Sequence, residues 1–293
     1  LINYMPELPE VEVVKRSLER TIKNFVIKDI EINEVNLRYR IKKHEIKQII
    51  GKSILNIKRR SKYLLFFFNK GVVMIVHLGM TGKFFLENKS NVKKKTSFYY
   101  NLNDEKDTKH NHIIFRFKNR SKLIYNDVRK FGFIKFDTLA KYKKNPHLII
   151  LGPEPLENHF NLKYFKKYIQ GKKRAIKDLL MDQKFVSGLG NIYVNEVLFY
   201  SKIKPNRKAC NLNITEIKNI LKNTKKILIK AIYFGGSSIR NFLNSNGKTG
   251  DFQQHFAVYG RKGNKCSNTD CNSKIKRIVT SNRASFFCPN CQK

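Results

Sequence analysis

Four of the five cysteines fall in the last 28 residues, as Cys266-x4-Cys271 and, sixteen residues later, Cys288-x2-Cys291. That spacing constrains the fold of the tail more than any other feature of the chain. Two close pairs, each on a tight turn, present four thiolates to one tetrahedral ion, and the spacer is long enough for two strands. The expectation is one structural zinc on a β-hairpin whose spacer carries the basic residues Lys274, Lys276, Arg277 and Arg283. The remaining cysteine, Cys210, reads as a buried thiol without a role. Cysteines so concentrated do not form a disulfide framework spread over a secreted domain.

The rest of the chain is long enough for two or three domains. Residues 1–5 precede a helix that starts near Pro9, with Val11, Val14, Leu18 and Ile22 at helical spacing. Short β-rich runs follow. Lys62–Phe68 and Val72–His77 flank Asn69-Lys70-Gly71, a hairpin signal. Further runs are Ile113–Lys118, Leu123–Tyr125 and Phe131–Phe136. Residues 6–137 therefore read as one helix with an antiparallel sandwich, interrupted by a polar, exposed loop over 87–109. Prolines mark a linker at 138–156. Helical periodicity then covers Leu162–Gln170, Ala175–Met181, Ile192–Tyr200 and Thr215–Ala231, within a segment 157–232. Gly235-Gly236 opens a loop-rich tail, 233–293. The fold class is α+β. No internal repeat and no Gly-rich nucleotide fingerprint is present.

Lys and Arg number 60 against 22 Asp and Glu, a formal charge of +38. An A/T-rich coding bias accounts for part of that excess. The attraction for phosphate remains, so a nucleic acid is the expected partner. No run approaches the ~18 apolar residues of a membrane span, and no signal peptide is visible, so the expected compartment is the cytoplasm.

The stretch MPELPEVE (5–12) raises a chemical possibility. A proline at a chain terminus is a secondary amine, with a pKa near the ~7.7–8.0 of an α-amino group. It is thus partly uncharged at neutral pH and nucleophilic. On an aldehyde-level carbon it gives a cationic iminium, an electron sink that promotes elimination. A neighbouring carboxylate can shuttle the protons.

These residues open a series of ordered blocks: RRSKYLL (59–65), HLGMTG (77–82), YNDVRKFG (125–132), LGPEPL (151–156), MDQKFVSGLGNIYVNEVLF (181–199) and NGKTGDFQQHFAVYGRKG (246–263), then the cysteine tail. Together they resemble the formamidopyrimidine-DNA glycosylase family from Met5 to Lys293. Leu8 favours this branch over the endonuclease VIII branch, which opens P-E-G-P-E.

The resemblance implies a β-sandwich catalytic domain, a helix–two-turn–helix domain and a C-terminal zinc finger, acting as a monomer on duplex DNA that contains oxidised purine. It implies Pro6 as nucleophile, Glu7 as acid/base on the sugar ring oxygen, and Lys62 and Arg283 as acids for elimination. Met80, Arg129 and Phe131 would fill the space left by the flipped nucleotide, Arg129 facing the orphaned cytosine. His110, Lys172 and Asn191 would contact DNA, and Gly247–Tyr259 would form a flexible loop over the lesion. Cys266, Cys271, Cys288 and Cys291 would hold the zinc. Here D-V-R-K-F-G replaces the family's D-P-R-R-F-G, so a looser loop is expected. Leu1–Tyr4 would block the amine of Pro6, so translation from Met5, or trimming, is expected. The alternatives are an enzyme for oxidised pyrimidines and a non-catalytic DNA-binding paralogue. An RNA-associated zinc protein, suggested by charge alone, leaves PELPEVE unexplained.

Overall fold

A computed structural model describes residues 5–87, 93–95, 108–237 and 252–293. The chain divides into two compact units, Leu1–Ile149 with Phe234–Asp251, and Ile150–Tyr233 with Phe252–Lys293.

The first unit begins with α1 (Leu8–Ile22) and also holds two short helices, α2 (Lys43–Lys47) and α3 (Pro146–Ile149). Pro9 sits in the first turn of α1, where its missing N–H costs nothing. Glu7 is the N-cap of a capping box, its own N–H donating to Glu10 Oε2 at 2.9 Å. Val11, Val14, Leu18 and Ile22 form one face, all fully buried. That face enters a core shared with two antiparallel sheets. One sheet runs β2 (Ile54–Arg60), β3 (Tyr63–Phe68), β4 (Val72–His77), β9 (Phe133–Thr138). The other runs β1 (Ile27–Ile32), β7 (Asn111–Phe117), β8 (Lys122–Asn126), β5 (Lys83–Glu87), β6 (Lys93–Lys95). Phe66 from β3 meets Phe84 from β5 edge-on, ring centroids 5.9 Å apart. β3 is apolar along its whole length because both its faces are covered. Phe66 points to the core, while Phe67 packs edge-to-face on Tyr142 at 5.3 Å. The β3–β4 turn is made at Asn69–Gly71, with Lys70 at φ 58° and Gly71 at φ 70°.

Two expectations change in this unit. The segment 87–109 is not wholly a loop, since β6 pairs with β5 in register Phe85↔Lys95. The last strand begins at Phe133, so Phe131 lies outside it.

The second unit contains α4 (Leu162–Ile169), α5 (Ile176–Leu180), α6 (Asn191–Tyr200) and α7 (Ile214–Tyr233). Every residue of α6 from Ile192 to Phe199 is buried. A helix buried on all sides is a central helix, and α7 and α5 pack against it. Its one carboxylate, Glu196, accepts the backbone N–H groups of Ala257, Val258 and Tyr259 at 2.8, 3.0 and 2.8 Å. Burial pushes that carboxyl upward, against the pull of the three amides. The expected flexible loop over Gly247–Tyr259 is therefore corrected in its second half. Phe252, Ala257, Val258 and Tyr259 are buried, and Glu196 anchors the backbone of the last three; 247–251 lie outside the described residues. Cys210 is also corrected. It is exposed, its Sγ 3.3 Å from Asn211 Oδ1.

The tail ends in a hairpin, β10 (Lys276–Thr280) and β11 (Arg283–Phe287). Ser281 and Asn282 make its two-residue turn, both at positive φ, as the twist of such a hairpin demands.

Candidate functional site

In the first unit, Pro6 and Glu7 are buried at the start of α1. Glu10 fixes this start. Besides the Glu7 N–H, its other oxygen accepts the N–H (2.7 Å) and the hydroxyl (3.0 Å) of Ser237. Gly236 allows that approach, since a Cβ there would stand 2.9 Å from Glu10 Oε1. Glu10 was not singled out in the sequence, where it reads as an ordinary acidic residue in a helix's first turn.

Lys62 occupies the two-residue turn between β2 and β3 and is half-buried. Its charge acts on His77, at the end of β4. The imidazole of His77 is held down to about 3, by burial first, then by Lys62, Arg38 and His147. Its Nδ1 accepts the N–H of Gly79 at 3.0 Å. The ring is thus neutral and carries its proton on Nε2. Nothing in the sequence alone sets His77 apart. It stacks on Phe133, centroids 5.5 Å apart, and in sequence it looks like the end of a strand.

Met80, Arg129 and Phe131 come from two loops, and the structure brings them together. The guanidinium carbon of Arg129 lies 4.5 Å from the centroid of the Phe131 ring, and Nη1 donates to Met80 Sδ at 3.3 Å. Arg129 and Phe131 are both exposed. Neither composition nor periodicity reveals this: on those grounds Phe131 reads as a strand residue and Met80 as core. Asp127 locks the two loops together. Thr81 Oγ1 donates to its Oδ1, and Gly132 N–H (2.8 Å) and the Tyr125 hydroxyl (3.3 Å) donate to its Oδ2. Gly79 is pressed on the same loop. A Cβ on it would lie 2.5 Å from Gly132 N. The loop expected to be looser is therefore pinned, by Asp127 and by an ion pair between Lys130 and Glu34. The hydrogen bond from Lys130 holds the Glu34 carboxyl down to about 2. His110 joins this assembly through its backbone, its carbonyl accepting Asp127 N–H at 3.2 Å.

In the second unit, Asn191 is the first residue of α6, after the turn Gly188–Gly190. Gln183 shapes the turn, accepting Gly188 N–H at 2.7 Å and donating to the Leu189 carbonyl at 2.8 Å. Asn191 Nδ2 donates to the carbonyl of Ala284 at 3.1 Å, and Lys177 Nζ donates to the same carbonyl at 2.8 Å and to Ser285 Oγ at 2.7 Å. Asn191, Lys177 and the β11 start beside Arg283 thus form one group. Lys172 is not held there. It lies over the Tyr168 ring, 4.8 Å from the centroid. In the sequence Lys177 reads as one more lysine of a basic segment; its burial comes from partners more than a hundred residues away.

The sulfurs of Cys266, Cys271, Cys288 and Cys291 all lie within 4.8 Å of one another. The pairs 266–291 and 271–288 are 3.8 and 3.6 Å apart. Four thiolates at ~2.3 Å from a tetrahedral ion stand about 3.8 Å apart. The set fits a metal, and the C-x4-C turn does not distort it. Asn268 and Asn290 donate to Cys291 and Cys271 at 3.7 and 3.5 Å. Among the described residues no helix is long and apolar enough to cross a membrane.

Residues 5–134 match the family model of the formamidopyrimidine-DNA glycosylase N-terminal domain, and 151–243 that of the formamidopyrimidine-DNA glycosylase H2TH domain. A formamidopyrimidine-DNA glycosylase of Rickettsia bellii is 41% identical over 290 residues, covering 99% of this chain and 100% of the relative. The one from Roseobacter denitrificans is 37% identical over 289 residues, 99% of this chain and 100% of the relative. Solved structures of Lactococcus lactis Fpg are similar too. A complex with abasic-site DNA has a TM-score of 0.83 and 36% identity, over 98% of this chain and 99% of that one. A complex with Fapy-dG DNA has the same TM-score and identity, over 98% and 100%.

Proposed function

The chain belongs to the formamidopyrimidine-DNA glycosylase family, a base-excision-repair glycosylase family, and from that premise we propose how its residues work and on what. The substrate is duplex DNA with an oxidised purine, 8-oxoguanine or formamidopyrimidine, opposite cytosine. The observation that carries the reading is the Met80–Arg129–Phe131 cluster, an exposed cation and aromatic locked on pinned loops. An aromatic side chain so held wedges a base step, and the guanidinium donates to the base left behind.

Pro6 acts with a free amine, so the working form begins at Pro6. Its nitrogen attacks C1′ and the damaged base leaves with a proton. Glu7 protonates the ring oxygen as the sugar opens, leaving a cationic iminium. Loss of a C2′ proton expels the 3′ phosphate, and a second elimination expels the 5′ phosphate. Lys62 and Arg283 serve the phosphates and supply protons in these steps. Lys177 and Asn191 hold the β11 strand on which Arg283 sits. The four cysteines hold zinc, the ion that an all-thiolate tetrahedral set suits best, and the zinc is structural because Cys fills every position. The enzyme acts as a cytoplasmic monomer.

The test compares excision from 8-oxoguanine:cytosine and thymine glycol:adenine duplexes by protein beginning at Pro6. Faster release of 8-oxoguanine is expected. The reverse order would assign the chain to oxidised pyrimidines.

A further inference from the structure

Arg59, in β2, is almost buried, its side chain 10% exposed. Its Nε donates to Glu12 Oε2 on α1 at 2.9 Å, and its Nη1 donates to the carbonyl of Ser61 at 3.0 Å. Ser61 is buried and adopts φ 55°, a backbone that residues other than glycine seldom take. It immediately precedes Lys62. One guanidinium thus connects the helix that starts behind Pro6 and Glu7 to the turn that presents Lys62.

Both arms of the connection are short. Glu12 lies five residues beyond Glu7, about 7.5 Å along the helix axis. Lys62 is three residues beyond Arg59, and the Ser61 carbonyl lies on the peptide that joins Ser61 to Lys62. The other Glu12 oxygen accepts from Arg16 at 2.9 Å, but Arg16 is 61% exposed and reaches nothing on β2 or its turn among the described contacts.

We propose that Arg59 is a positioning residue for the elimination chemistry, setting Lys62 against the Pro6–Glu7 end of α1 by gripping Glu12 and the Ser61 carbonyl together. This rests on the lyase reading above. The planar fork of arginine reaches two acceptors at fixed angles, whereas the single ammonium of lysine does not hold both. Acid catalysis is sensitive to such placement, and a misplacement of ~1 Å costs about a hundredfold in rate.

The experiment uses full-length protein beginning at Pro6 and a duplex with a preformed abasic site, so base recognition does not enter. Wild type, Arg59→Lys, Arg59→Ala, Glu12→Gln and Arg16→Ala are compared for melting temperature, kcat, KM, and the fraction trapped by borohydride at saturation. Arg59→Lys is expected to melt near wild type, trap the same fraction and keep its KM within about twofold, with kcat down about tenfold or more. Arg59→Ala is expected to be slower still. Glu12→Gln should resemble Arg59→Lys, a protein carrying both Glu12→Gln and Arg59→Lys should be no slower than the slower of the two, and Arg16→Ala should match wild type. Arg59→Lys at the wild-type rate overturns the proposal. So does a loss of rate only in proportion to the trapped fraction, which marks a purely structural role. If wild type itself neither traps nor cuts, the lyase reading falls first, and this proposal with it.

Discussion

The guanidinium of Arg129 lies over the ring of Phe131, 4.5 Å from its centroid, and the two side chains are exposed together on loops that Asp127 locks. A stacked, partly pre-ordered pair loses less freedom on entering a duplex than two independent side chains would. Arg129→Ala is expected to erase about tenfold of the preference for cytosine opposite the lesion, the worth of one good base contact. Phe131→Ala is expected to slow excision of 8-oxoguanine about tenfold or more while leaving cleavage of a preformed abasic site less affected. Single-turnover rates on duplexes with each opposite base check both.

Asp127 is fully buried and accepts from Thr81, Gly132 and Tyr125. Asp127→Ala leaves those donors without their acceptor. The expected cost is about 3 kcal/mol, the order of one or two charged hydrogen bonds. Chemical denaturation measures it, and the Arg129 and Phe131 effects above should be partly reproduced because both loops lose their lock.

His77 makes the first unit acid-sensitive. Its folded imidazole is held down to about 3, against ~6.5 when unfolded. Below pH 6.5 the unfolded chain binds a proton that the folded one refuses, so stability falls as pH drops from 6.5 toward 3. About 2 kcal/mol is lost between pH 7.5 and 5. His77→Asn keeps an acceptor for Gly79 N–H and has no such titration. Its stability should vary less over that range by about this amount, as measured by denaturation at both pH values.

The four-cysteine site predicts one zinc per chain. Chelation, or Cys291→Ala, is expected to unfold the β10–β11 hairpin, since the binding energy of a structural zinc is largely folding energy. Duplex binding should weaken about tenfold or more as Arg283 loses its support. Metal analysis and fluorescence anisotropy at one fixed salt concentration read both.

Much of this was legible in the sequence for definite reasons. The β3–β4 hairpin announced itself through two apolar runs around Asn69-Lys70-Gly71, and α7 through its long 3.6 period. The cysteine cluster was legible because tetrahedral ligation fixes its spacing. β1 and β2 were not, because charged residues break their apolar period: Lys28, Asp29 and Glu31 in β1, and Lys58, Arg59 and Arg60 in β2. α6 hid its centrality because a fully buried helix has no polar face to give a period. Lys177, Glu196 and Asp127 were missed for one shared reason. Each is a buried charged residue with a partner far away in sequence, Ala284 for Lys177, Ala257 for Glu196 and Thr81 for Asp127, and no local pattern marks that. The backbone groups Glu196 satisfies lie some sixty residues downstream, which is why Phe252–Tyr259 looked free.

The central claim is that Pro6 is the nucleophile. The direct measurement is borohydride trapping on an 8-oxoguanine:cytosine duplex, with the crosslinked peptide mapped, for protein beginning at Pro6 and for protein that retains Leu1–Met5. The account predicts a covalent adduct on Pro6 in the first protein and none in the second. An adduct on a lysine, or none in the protein beginning at Pro6, would contradict it.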